Sequence, residues 1–137
     1  MAHPVMYDDD NPHLVRLRAL VLAYPGAEEY VSHGRPNFRV KKNFVVFGGS
    51  ERLGPGEHRQ VDSALMVKVE EAEQAALDED ERFFVPAYLG AFGWRALDLA
   101  APGTDWDEVA ELVDASYRLT APKRMIAALD AGGIGPG

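Results

Sequence analysis

The sequence predicts an α+β fold, an antiparallel sheet with helices packed on one side. Three observations predict it. The elements run helix, three strands, helix, strand pair, two helices, so strands come in runs instead of alternating with helices. The helical segments each carry one apolar stripe, which needs a sheet face to bury it. The length, 137 residues, suits a single domain with a single core.

Asn11 before Pro12 forms a helix start, a capping amide followed by proline at the first helical position. Leu14, Leu17, Leu20, Val21 and Tyr24 recur at helical spacing, with Arg16 and Arg18 off the stripe. Pro25-Gly26 ends that helix. Residues 27–36 read as a loop. Phe38 to Val40 and Phe44 to Phe47 flank the polar Lys41-Lys42-Asn43 and predict a β-hairpin. Gly48-Gly49-Ser50 reads as its exit, and with Leu53-Gly54-Pro55-Gly56 it marks a long loop. Ala64 to Val69 is a third strand, with Leu65, Val67 and Val69 on one face and Met66 and Lys68 on the other.

Glu70 to Glu81 carries acidic residues and no base, and its narrow stripe of Ala72, Ala75, Ala76 and Leu77 predicts a helix. Phe83-Phe84-Val85 is a short strand, and Gly93 to Leu99 another, with Trp94, Ala96 and Asp98 opposite Arg95, Leu97 and Leu99. Asp105 and Glu108 resemble a capping box ahead of Trp106, Val109, Leu112, Val113 and Tyr117. Pro122 opens a last helix with Met125, Ile126 and Leu129, and Ala131 to Gly137 reads as a frayed glycine-rich tail.

Hydrophobic residues make up 47% and charged residues 26%, the balance of a soluble globule. No apolar run approaches the ~20 residues of a membrane span. The segment Met1 to Pro12 is polar and acidic and lacks the features of a signal peptide. The absence of cysteine removes disulfides, thiolate metal sites and cysteine nucleophiles, and predicts a reducing cytoplasm. The net charge of −8 argues against a broad nucleic-acid surface. The charge is uneven, however. From Arg35 to Lys68 there are seven basic and three acidic residues, so this segment carries +4 and the remainder −12.

The four histidines have no ligand spacing and read as exposed loop residues. No serine sits on a nucleophile elbow, and Gly48-Gly49-Ser50 lacks the lysine of a phosphate loop. The expectation is therefore a protein without catalytic residues, cofactor or resident metal. The acidic run Glu70 to Glu81 reads as a solvated face; the alternative is divalent-cation binding through its carboxylates. Trp94 reads as a core anchor, while Tyr88, in a turn between Pro86 and Gly90, could serve either the core or a ligand. Arg35, Arg39, Lys41 and Lys42 lie on or beside the predicted hairpin, where they could contact phosphates or simply protect a strand edge. Lys123 and Arg124 stand in the first turn of a helix, where cations oppose the dipole, so they call for carboxylate partners (Asp114 or Glu111) or an anionic ligand.

Several short motifs recur in order: Pro25-Gly26 with Glu28-Glu29, Gly34-Arg35-Pro36 with Phe38-Arg39-Val40, Pro86-Ala87-Tyr88-Leu89-Gly90 with Gly93-Trp94, and Ser116-Tyr117 with Ala121-Pro122-Lys123-Arg124. As a set, covering residues 14 to 130, they make the chain resemble the MmcQ/YjbR family of small bacterial proteins. The resemblance implies a CyaY-like fold and DNA binding through a double wing, and brings no catalytic residues. The wings would be the hairpin around Lys41-Lys42 and the long loop with Arg52 and Arg59. The expected function is non-enzymatic DNA binding by a monomer through Arg35, Arg39, Lys41, Lys42, Lys123 and Arg124. The first rival is a small-molecule or protein-interaction module using Tyr88 with Arg35 or Lys123; the second is cation binding by the acidic helix. The rival ligand site would show as a concave pocket where those side chains converge.

Overall fold

The computed structural model describes residues 5–132; residues 1–4 and 133–137, the ends of the acidic N-terminal segment and of the glycine-rich tail, lie outside them. Helix α1 (Pro12–Val21) starts where Asn11 caps it, the side-chain oxygen accepting from the His13 N–H at 2.9 Å. Asn11 Nδ2 also donates to Ser63 Oγ at 2.9 Å, so the cap is tied to the sheet. Asn11→Ala is expected to lower stability by about 1–2 kcal/mol in a urea titration.

Six strands follow: β1 (Glu28–Ser32), β2 (Arg35–Val40), β3 (Lys42–Gly54), β4 (Glu57–Lys68), β5 (Phe83–Phe84) and β6 (Trp94–Asp98). They form one antiparallel sheet in the order β1-β2-β3-β4-β6-β5. Helix α2 (Glu71–Asp78) falls between β4 and β5, and α3 (Trp106–Thr120) and α4 (Lys123–Gly132) complete the chain. Ala131 and Gly132 thus belong to a helix, where the sequence suggested fraying.

The sheet has two unequal faces. On one, Leu14, Leu17 and Val21 of α1, Val109, Val113 and Tyr117 of α3 and Leu129 of α4 pack against Phe38, Phe44, Phe47, Leu65 and Leu97. On the other face, a smaller cluster of Val46, Val61, Ala64, Met66, Phe84, Trp94 and Ala96 has, among the described residues, a single partly buried hydrophobic packed against it, Leu89 of a short 3₁₀ turn. The expectation of a single core is thereby corrected. Met66 belongs to the second cluster, opposite Leu65 and Val67, as the alternation along β4 requires.

Two stretches read as loops are strands. Residues 28–32 form the edge strand β1, which turns into β2 through His33 and Gly34, both at positive φ (54° and 77°). That is the two-residue hairpin whose twist matches its strands. The stretch from Gly48 to Asp62 is a two-stranded arm in which Glu51 pairs with Arg59 and Arg52 with His58. Gly48 is a bulge in β3 at φ 85°, where the register shifts between Phe47 and Gly49.

Candidate binding face

The hairpin tip between β2 and β3 turns at Lys41, whose φ of 68° is a conformation glycine adopts at lower cost. Lys41 and Lys42 are exposed, with no carboxylate within ion-pair distance among the described residues. They line a cleft of about 420 Å³ together with Arg39, Lys68, Tyr30, Asn43 and Trp94 and the end of α3. Arg39 is already engaged. Its Nε donates to Glu28 at 2.7 Å, which raises its pKa, and its guanidinium lies 4.0 Å from the centre of the Tyr30 ring. Lys68 Nζ donates to the Phe92 carbonyl at 2.9 Å.

Arg35 lies on the same face of β2 as Arg39, four residues and about 13 Å away along the strand. It borders a separate and larger basin of about 750 Å³, with Val46, Gly49, Met66, Tyr88, Leu89 and Trp94. Asn37 and Asn43, which also line that basin, are held in a chain of hydrogen bonds: Asn43 Nδ2 donates to Asn37 Oδ1 at 3.1 Å, and the Tyr30 hydroxyl to Asn43 Oδ1 at 2.6 Å. Asn43 and Trp94 border both the cleft and the basin, so the two adjoin. Trp94 is 6% exposed and is a core anchor of the smaller cluster, whereas Tyr88 is 84% exposed at the basin rim.

The structure therefore divides the six basic residues expected to act together. Arg39, Lys41 and Lys42 share the cleft and are joined there by Lys68, which the sequence set apart only as a residue of β4's non-core side. Arg35 belongs to the basin. Lys123 and Arg124 are exposed in the first turn of α4 and border neither. That turn does lie near the end of β2, because Met125 Sδ and Val40 Cγ1 both fall within 3.3 Å of where a side chain on Gly26 would begin. Neither of the carboxylates offered for the two cations is used by them. Asp114 instead accepts from Arg118 at 2.8 Å and from the Tyr24 hydroxyl at 3.1 Å.

The β3–β4 arm is not a basic wing. Arg59 pairs with Glu51 at 2.9 Å, and with Arg52 and Glu57 counted as well, the acidic and basic residues from Glu51 to Arg59 balance. Next to the cleft, and sharing Lys68 and Leu119 with it, α2 and α3 border a groove of about 550 Å³ whose rim carries four carboxylates, Glu70, Glu73, Glu108 and Glu111, against Lys68 and Arg118. Asp78 of α2 is turned inward to Arg95, at 2.6 Å, and Asp80 holds Arg82 at 2.7 Å. Among the described residues no group of three or more histidines and carboxylates is arranged to hold a metal ion, and no helix is long and apolar enough to cross a membrane.

Neither a curated protein nor a solved structure matches the chain. A family model described as YjbR matches residues 22–119. That span takes in all six strands, the hairpin tip, the lining of the basin except Met6, and nearly all of α3. Of the motifs that suggested the family, all but Ala121-Pro122-Lys123-Arg124 fall within the matched residues, and the chain belongs to the MmcQ/YjbR family.

Proposed function

We propose that this protein is a non-enzymatic, cytoplasmic nucleic-acid-binding protein that contacts phosphates through the cleft at its hairpin tip. The observation carrying this reading is that Lys41 and Lys42, which have no carboxylate partner among the described residues, share one cleft with Arg39 and Lys68. Elsewhere five arginines are committed within the fold. Arg18, Arg59, Arg82, Arg95 and Arg118 each hold a carboxylate within 2.9 Å. The acidic groove between α2 and α3 meets the cleft at Lys68 and Leu119, and would keep a polyanion from spreading past that edge.

Fluorescence anisotropy with labelled duplex and single-stranded DNA tests the proposal. Four phosphate contacts give a log–log salt slope of about −3.6 on duplex, so affinity should fall roughly a hundredfold between ~50 and ~200 mM salt. Lys41→Ala/Lys42→Ala should bring the slope to about −1.8. Wild-type binding by that variant would remove the cleft as the contact surface. In Lys123→Ala/Arg124→Ala, a further drop in slope would extend the surface onto α4, and an unchanged slope would confine it to the cleft.

A further inference from the structure

We propose that the basin on the helix-free face is a binding site for a small organic carboxylate with a flat apolar body. The site is separate from the nucleic-acid cleft and does not depend on that reading. Two independent observations carry it, one at the charged end of the basin and one at its rim.

The first is Arg35. Its stem lies along the Gly48 bulge, with Cδ at ordinary contact distance, 3.5 Å, from where a β-carbon on Gly48 would sit. The guanidinium makes no hydrogen bond and has no carboxylate within 4.0 Å among the described residues; Asp62 acts on it only through its field. Partial burial works against its charge. A partly desolvated guanidinium, always charged and with its planar fork unused, is suited to a carboxylate, which it can bind in two parallel hydrogen bonds. The basin floor beside it is apolar: Val46, Met66 and Trp94 are each 6% exposed. Gly49 keeps that floor low, since a β-carbon there would meet Met66 Sδ at 2.8 Å. A volume of about 750 Å³ lies within the range of small-molecule pockets, roughly 300–1,000 Å³. Phosphate, which carries more charge and has no apolar body, fits this lining less well.

The second observation is the backbone at Tyr88. Its φ of 67° and ψ of −62°, with the Leu89 N–H donating to the Ala87 carbonyl at 2.8 Å, define a γ-turn of the rare, strained form. The surroundings hold it there. The Ala87 N–H donates to Ser50 of β3 at 2.8 Å, the Gly90 N–H to Pro86 at 2.9 Å, and Pro86 bridges Glu51. A side chain on Gly90 would collide with Val85 Cγ1, so Val85 would have to shift to admit one. The strain does not serve burial, since the ring it carries is exposed. It sets an exposed aromatic residue at the rim of a basin that has an apolar floor and a cation at its end. Strained backbone of this kind concentrates at ligand clamps.

Isothermal titration calorimetry on the full chain tests the site, using 2-naphthoate, the neutral 2-naphthylmethanol and inorganic phosphate as probes. Saturable, one-to-one binding of 2-naphthoate is expected, weakened roughly tenfold or more by Arg35→Met and a few-fold by Tyr88→Ala. Arg35→Lys, which keeps the charge and loses the fork, should fall between Arg35→Met and wild type and guards against misfolding of the first variant. No saturable binding, equal binding of the alcohol, phosphate binding as tightly as 2-naphthoate, or an Arg35→Met variant of native circular dichroism that binds like wild type would each overturn the proposal. The two sites separate in the same experiments. Lys41→Ala/Lys42→Ala should keep its naphthoate affinity, and Arg35→Met should keep its DNA affinity. Loss of DNA binding in folded Arg35→Met would assign Arg35 to the nucleic-acid surface and overturn a distinct carboxylate site.

Discussion

Tyr117→Ala is expected to destabilise the protein by about 3–5 kcal/mol, the cost of truncating a large buried aromatic side chain. Tyr117 is fully buried, and its ring packs on Tyr24 (centroids 4.9 Å apart) and edge-on to Phe44 (5.2 Å). The three rings join α3, the end of α1 and β3. The Tyr117 hydroxyl donates to the Pro25 carbonyl at 2.7 Å and so satisfies the chain where it leaves α1. Since whole domains are stable by only about 5–15 kcal/mol, this one change removes a large fraction of the margin. Tyr117→Phe keeps the ring and loses only the hydrogen bond, and should cost about 1 kcal/mol. Urea titrations of the three proteins check the order. If the alanine variant fell within the cost of the phenylalanine variant, the aromatic cluster would not be what fastens α3 to the sheet.

Tyr117 also shows what kind of structure a sequence makes legible. Its helix announced itself through the cap at Asp105, which accepts from the Asp107 and Glu108 N–H groups, and through a stripe with one buried face. Helix α1 and strand β4 were legible for the same reason: one side faces a core, so the apolar period is complete. The arm from Gly48 to Asp62 faces water on both sides along most of its length, so it has no alternation to read. Its glycines, which make a bulge and a turn, looked like a loop. The edge strand β1 was hidden similarly. Val31 points to solvent, and the signal that could have found β1 was chemical: Glu28 lies opposite Arg39 and pairs with it at 2.7 Å.

The binding face was legible residue by residue and not as an arrangement. Lys41 and Lys42 at a hairpin tip followed from local pattern. Their company did not, because Lys68 reaches the cleft through the register that sets it beside Trp94. Arg35 and Arg39 belong to one strand face, so alternation would have grouped them. What separates them is the Asn37–Asn43 hydrogen-bond chain, which depends on β3 crossing at that level. Tyr88 could be marked as an exposed turn aromatic, but its positive φ is imposed by contacts with β3 that no local signal encodes.

The second large effect is expected at Ser116, a small polar residue that is completely buried. Its hydroxyl donates to the Phe44 carbonyl at 2.6 Å and accepts from the Lys68 N–H at 3.0 Å. One atom of α3 therefore links β3 and β4 at the end of the sheet where the basic cleft opens. Ser116→Ala removes the link and adds nothing to take its place, leaving a buried acceptor and donor unpaired at about 1–3 kcal/mol each. The loss should be local as well as global. In hydrogen exchange, the Lys68 amide should lose protection by more than the drop in global stability explains. Lys68 should then hold its position in the cleft less well, so the salt slope of any duplex binding should weaken by up to about one contact, or about 0.9. If the Lys68 amide kept its protection relative to the rest of β4, the Ser116 hydroxyl would be only a tolerated polar group. A large loss of stability without change at Lys68 would place the cost in packing and not in the link. The outcome expected here makes the docking of α3 a condition for an ordered cleft, and so connects the core to the basic cleft of an acidic protein.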